Sequence, residues 1–279
     1  MFRRRFFKVF LALVFALVVG LFTPAAAQAA PAPGWYVGLG DSYASGVGSP
    51  PYSSDPACLR SPSAYPSLVA TAIHAPTFAF TACSGALTAD VLATQLTPVN
   101  RRTRLVTVSA GGNDLGFSKG VRACVAGTDA DCRAVVDAGE VFARDVLSGR
   151  LDTLYAAVKQ RAPRAELVVT GYPHFFETTA TCPGTPLSLS KRLVLNEAVD
   201  ALDATLAQRA AKSGARFADV RAAFTGHGLC GSDPWILGLT DPAAFHPTAT
   251  GHREGYLPTV LAALCRRPSR PHPGAPAAT

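Results

Sequence analysis

Five short apolar stretches recur at wide intervals along the chain: "WYVGLG" (35–40), "TFAFTA" (77–82), "RLVTVSA" (104–110), "AELVVTG" (165–171) and "ARFADV" (215–220). They favour β-branched and aromatic residues and are too short for helices, which predicts strands. Between them, apolar positions recur at helical spacing. Residues 63–74 carry Leu68, Val69 and Ile73, and residues 134–161 carry Val135, Val141, Phe142, Val146, Leu151, Leu154, Tyr155 and Val158. Residues 187–212 carry Leu189, Leu193, Val199, Leu202 and Leu206, and residues 248–264 carry Tyr256, Val260, Leu261 and Leu264. Strands alternating with helices predict a three-layer α/β fold, with a central parallel sheet of about five strands and helices on both faces. Ligands in such folds bind beyond the carboxyl ends of the strands. Four of the five apolar runs end there in small or polar residues: GDS, CSG, GGND and GYP.

The first residues follow a different pattern. Arg3, Arg4, Arg5 and Lys8 precede an apolar run from Val9 to Phe22, and "AAAQAA" then offers a small-residue cleavage site. That is the pattern of a secretory signal peptide, expected over residues 1–29, with the folded domain over 30–265. The apolar run is short for a membrane span, so no stable span is expected. "RRRFFK" also resembles a twin-arginine export signal, with Phe2 where a polar residue is usual, and two export routes stay open. Without the four leader cations, the formal charge of +7 falls to about +3, so nucleic acid is not an expected partner. The stretch 266–279 is rich in Pro and Ala and is expected to be disordered.

All seven cysteines (58, 83, 124, 132, 182, 230 and 265) follow the leader. In an exported chain they read as disulfides with one thiol left over. Zinc would ask for a Cys-x-x-Cys pair; the chain has none, and His227 with Cys230 in "HGLC" is an isolated match, so no metal is expected.

Four post-strand segments carry candidate chemistry. "GLGDSY" (38–43) approaches a dinucleotide-binding fingerprint, but Tyr43 stands at the third glycine position and no acidic residue ends the next strand. "GFSKG" (116–120) fits the nucleophile elbow of another hydrolase fold, but Ser118 lies well past its strand rather than at a strand–helix turn. Ser42, just past the first strand, is better placed to present its hydroxyl in the crevice. A serine needs a base to act as a nucleophile. Of the six histidines, His246 sits in a loop just before the final helix and is followed by proline, which biases it away from helix. His74 closes a helix, His174 adjoins a proline turn, His227 lies in a Gly-rich loop, His252 lies inside the last helix and His272 in the tail. Asn113 in "GGND" has an amide able to donate to an oxyanion, and Gly85 in "CSGA" allows a backbone N–H to approach a ligand.

Taken in order, "GDSYASG", "SGA", "GGND" and "FHPTATGH" resemble the motif blocks of the GDSL, or SGNH, hydrolase family, over about residues 35–265. The cysteine pattern and the leader are similar to its secreted actinobacterial lipase/esterase branch. The resemblance implies an SGNH/flavodoxin-like fold and a secreted, extracellular serine esterase or lipase. It implies Ser42 as nucleophile and His246 as base, with an oxyanion hole from the Ser42 and Gly85 N–H groups and the Asn113 amide. No cofactor is implied. The branch suggests the disulfides Cys58–Cys83, Cys124–Cys132 and Cys182–Cys230, and Cys265 has no counterpart. Many family members carry Asp three residues before the histidine, where this chain has Ala243. The helper of His246 is then the Ala243 backbone carbonyl or, alternatively, Asp241. The expected partner is an ester substrate (lipid, aryl ester or acylated saccharide) and the expected state a monomer. Two alternatives stay in view: an acyltransferase on the same site, and a non-catalytic secreted binding module on a hydrolase fold.

Overall fold

Parallel strands buried on both faces must be apolar along their whole length, and the five apolar runs meet that demand. In the computed structural model, which describes residues 35–53 and 55–265, they become β1 (Tyr36–Gly40), β2 (Phe78–Phe80), β3 (Leu105–Ser109), β4 (Glu166–Thr170) and β5 (Arg216–Ala218). The sheet order is β2-β1-β3-β4-β5, and every neighbouring pair is parallel. The expected leader and tail lie outside the described residues.

The helices are α1 (Ser42–Ser45), α2 (Tyr65–Ala72), α3 (Thr88–Asp90), α4 (Phe117–Ala126), α5 (Asp129–Phe142), α6 (Ser148–Arg161), α7 (Leu189–Ser213) and α8 (Leu257–Cys265). Helices α2 and α8 pack together on one face of the sheet, and α5, α6 and α7 pack together on the other, giving the expected three layers. Among the described residues, no helix is long and apolar enough to cross a membrane.

The long apolar pattern at 134–161 is not one helix. Thr128 caps α5 in a reciprocal pair with Asp131, so the helix starts at Asp129. A π-helical turn, Ala143–Leu147, then separates α5 from α6. The extra residue per turn rotates the apolar stripe there, and Val146 is exposed while Leu147 and Leu151 are buried; within α5 the buried side is Cys132 and Val136, which leaves Val135 and Val141 exposed. Leu193, part of the pattern assigned to α7, is exposed as well.

The chain runs from β1 outward to β2 and then back across β1 to β3. The strand order therefore reverses between β1 and β3, where such sheets hold their ligands. The register sets Gly40 against Ser109, aligning the ends of the two central strands. A Cβ at Gly40 would lie 2.2 Å from the Ser109 carbonyl oxygen, so only glycine fits that position. On the other side of β1, β2 has already ended. The buried Gln95 side chain takes its place, accepting from the Gly40 N–H at 2.7 Å and donating to the Gly40 carbonyl at 2.9 Å.

Three disulfides join Cys58 to Cys83, Cys124 to Cys132 and Cys182 to Cys230, the pairing the family resemblance implied. Cys265 is a free, exposed thiol.

Candidate active site

Asp41 ends β1 and begins α1. Its Oδ1 accepts the Tyr43 N–H at 3.0 Å, the usual work of an aspartate N-cap. The first N–H groups of a helix have no partner within it. Among the described residues, neither the Ser42 N–H nor the Gly85 N–H donates a hydrogen bond to the protein. Gly85 has φ +77°, and a Cβ there would meet nothing within 4 Å, so its backbone faces open space.

His246 comes from the loop before the last helical segment, and Ile236 bridges Pro247 across the base of that loop. Its Nε2 stands 2.8 Å from the Ser42 Oγ, and its Nδ1 stands 3.1 Å from both the Ala243 and the Ala244 carbonyl oxygens. Carbonyls only accept, so Nδ1 carries the ring proton and Nε2 is left to accept from the Ser42 hydroxyl. Asp241 turns to its own loop, where Oδ1 accepts the Ala243 N–H at 2.7 Å. Burial holds the His246 pKa below the ordinary 6.5, against opposing pulls from the two carbonyls and the Asp241 charge.

Asn113 donates one amide hydrogen from Nδ2 to the Ala86 carbonyl at 3.0 Å, and the other has no partner among the described residues. Its neighbour Asp114 pins the loop. The Asp114 carboxylate accepts the Thr88 N–H at 2.9 Å, the Thr88 hydroxyl at 2.7 Å and Arg150 at 2.8 Å.

Several residues at the site carried no assigned role in the sequence. Asp41 is completely buried, and that burial raises its pKa to about 6 against the pull of hydrogen bonds led by Tyr172. The Tyr172 hydroxyl donates to Asp41 Oδ2 at 2.5 Å and accepts the Gly112 N–H at 3.3 Å, linking α1 to the "GGND" loop. An aspartate directly after a strand is a cap signal that could have found Asp41; nothing in "GYP" signals Tyr172.

Ser118 is exposed in the first turn of α4, at the margin of the same cavity. The other described histidines lie elsewhere. His174 pairs with Asp200 at 2.7 Å, and His227 stacks on Trp235. His252 is buried, accepts the Tyr65 N–H at 3.4 Å and has its pKa driven down to about 3 by burial.

A cavity of about 750 Å³ opens from Ser42, Gly85, Asn113 and His246 and extends along α4, α5 and α7. Phe117, Val121, Val136, Leu195, Val199 and Leu202 make its far walls mostly apolar.

A profile of the GDSL-like lipase/acylhydrolase family matches residues 39–254, most of the chain. The chain belongs to that family. A GDSL-family member of this kind is an ester hydrolase. Lipase 1 of Streptomyces coelicolor is 47% identical over 249 residues, which are 88% of this chain and 92% of the relative. The crystal structure of the extracellular lipase of Streptomyces rimosus superposes with a TM-score of 0.79 at 44% identity, covering 82% of this chain and 98% of that one. Phospholipase A1 of Streptomyces albidoflavus gives a TM-score of 0.79 at 43% identity, covering 83% of this chain and all of that one.

Proposed function

We propose that this GDSL-family enzyme is a secreted lipase whose catalytic groups are Ser42 and His246. The observation that carries the reading is the 2.8 Å contact of Ser42 Oγ with His246 Nε2, beside two unpaired N–H groups. His246 takes the hydroxyl proton as Ser42 Oγ bonds to the ester carbonyl carbon. The carbonyl oxygen becomes an oxyanion and lies against the Ser42 and Gly85 N–H groups and the free hydrogen of Asn113. The C–O bond to the alcohol then breaks, and His246 Nε2 returns the proton to the leaving alcohol. Water repeats the cycle on the acyl-enzyme and releases the acid. The Ala243 and Ala244 carbonyls hold the imidazole and stabilise the imidazolium that forms. The helper is therefore backbone, with Asp241 contributing only a distant charge.

The apolar cavity serves as the acyl channel. A fatty acyl chain there is desolvated at a gain of about 0.8 kcal/mol per buried CH₂, which favours long-chain esters over aryl acetates or acetylated saccharides. Secretion is supported by the leader pattern, by three disulfides and by the extracellular lipase among the relatives. The Ser42–His246 contact argues against a degenerate binding module. A series of p-nitrophenyl esters of graded length, with Ser42→Ala beside the wild type, tests the reading. Expected are a rise in kcat/KM from butyryl to palmitoyl and no turnover by the folded variant. An active Ser42→Ala would refute the assignment.

A further inference from the structure

We propose that Tyr43 is a positioning residue for the hydrolysis, its hydroxyl tying the helix that carries Ser42 to the loop that carries His246. The inference rests on the Ser42–His246 reading above. Tyr43 follows Ser42 in α1, and its side chain is buried. Its O–H donates to the carbonyl oxygen of Phe245 at 2.5 Å, across 202 residues of chain. Phe245 is the residue before His246. The bond therefore joins the immediate neighbours of the two groups that must meet.

Phe245 needs such a tie. It sits at φ +67°, in the left-handed region that a bulky side chain avoids. A strained residue stays put only when its surroundings fix it at several points. The Phe245 N–H donates to the Leu237 carbonyl at 2.8 Å, and its ring packs against Phe117, Phe175 and Phe176. The carbonyl is fixed by Tyr43. Without that donor, the buried carbonyl loses its polar partner, and rotation of Phe245 toward a relaxed φ carries His246 with it.

Tyr43 is itself held from three sides. Asp41 Oδ1 accepts its N–H, the Tyr172 ring meets its ring edge-on at 4.9 Å, and the His246 ring lies 5.2 Å away. Burial raises its phenol pKa far above the ordinary value, so it remains a donor throughout the working range. The clamp works on geometry alone: Tyr43 exchanges no proton with substrate.

The test is Tyr43→Phe, which keeps the ring and removes only the donor. A misplacement of about 1 Å between reacting groups can cost about 10²-fold in rate, so kcat should fall by about ten- to a hundredfold. KM should stay within about threefold, because ground-state binding does not use the clamp. A second readout separates positioning from general loosening. The low pKa of His246 comes from its burial, and the groups facing it are Ser42 and Tyr43 from α1, Asp241 from its own loop and His252 from the last helical segment. When the loop relaxes outward, the ring regains solvent. The His246 titration, followed by NMR of the ring protons, and the acid limb of kcat/KM should both move up toward 6.5. The NMR measurement stands even if turnover is too low to measure. Wild-type kcat and an unmoved His246 titration in folded Tyr43→Phe, with Ser42→Ala inert, would overturn the clamp and leave the catalytic pair intact. An active Ser42→Ala would instead remove the pair itself, and the clamp with it.

Discussion

Asp241 directs its carboxylate to the N–H of Ala243, 2.7 Å away, while the Nδ1–H of His246 goes to the carbonyls of Ala243 and Ala244. The carboxylate shapes the loop, and the loop's backbone holds the histidine. Asp241→Asn keeps an acceptor for Ala243 and should lower kcat less than tenfold, whereas loss of a true triad carboxylate costs about 10⁴-fold. Steady-state kinetics of this one variant decides between the two helpers.

The acid limb of the pH–rate profile follows from the burial of His246. The base must be neutral to accept the Ser42 proton, so activity is present above its pKa and lost as pH falls through it. Because burial lowers that pKa, the limb of kcat/KM should have its midpoint below 6.5. Asp41, raised to about 6, titrates in the same region. In Asp41→Asn, which still caps α1, the limb below 6.5 set by His246 should persist. A midpoint above 6.5 in that variant would contradict the low pKa of His246.

The strands were legible in the sequence because a parallel strand buried on both faces leaves an uninterrupted apolar run. The proposed pair, Ser42 and His246, which the structure brings within 2.8 Å, could be singled out because each adjoins a feature with its own signature, a strand end and a proline before a helix. Helix α4 was not. It begins at Phe117 behind Gly116, which is left-handed and offers no side-chain cap, and with no acidic first turn or basic last turn its ten residues lack the usual start and stop signals. The π-helical turn after α5 was invisible for a different reason: an added residue shifts the stripe without breaking it. Tyr43 and Tyr172 make long-range hydrogen bonds, Tyr43 to Phe245 and Tyr172 to Asp41 and Gly112, and no local pattern encodes such contacts.

Asn113 should contribute through its second amide hydrogen. Asn113→Ala should lower kcat by about 10²–10³, as loss of one oxyanion donor does elsewhere. KM should change little, since the bond strengthens only as negative charge develops. An unchanged kcat would reduce Asn113 to a turn residue tied to Ala86.

Gly139 tests the acyl channel. It stands inside α5 and lines the cavity, and a Cβ there would meet nothing within 4 Å. A glycine inside a helix is about 1 kcal/mol less favourable than alanine, so Gly139→Leu should not lower the melting temperature. It should fill the channel and reduce kcat/KM for palmitoyl relative to butyryl esters by about ten- to a hundredfold. An unchanged chain-length profile would show that the acyl chain runs elsewhere.

The central claim is that Ser42, paired with His246, is the nucleophile. A serine-directed alkyl phosphonate forms a stable adduct on an activated serine, and peptide mass spectrometry locates it. The account predicts one equivalent on Ser42, loss of turnover in step with labelling, and no labelling of His246→Ala at the same exposure. Adduct on Ser118, or equal labelling of the His246→Ala variant, would contradict it.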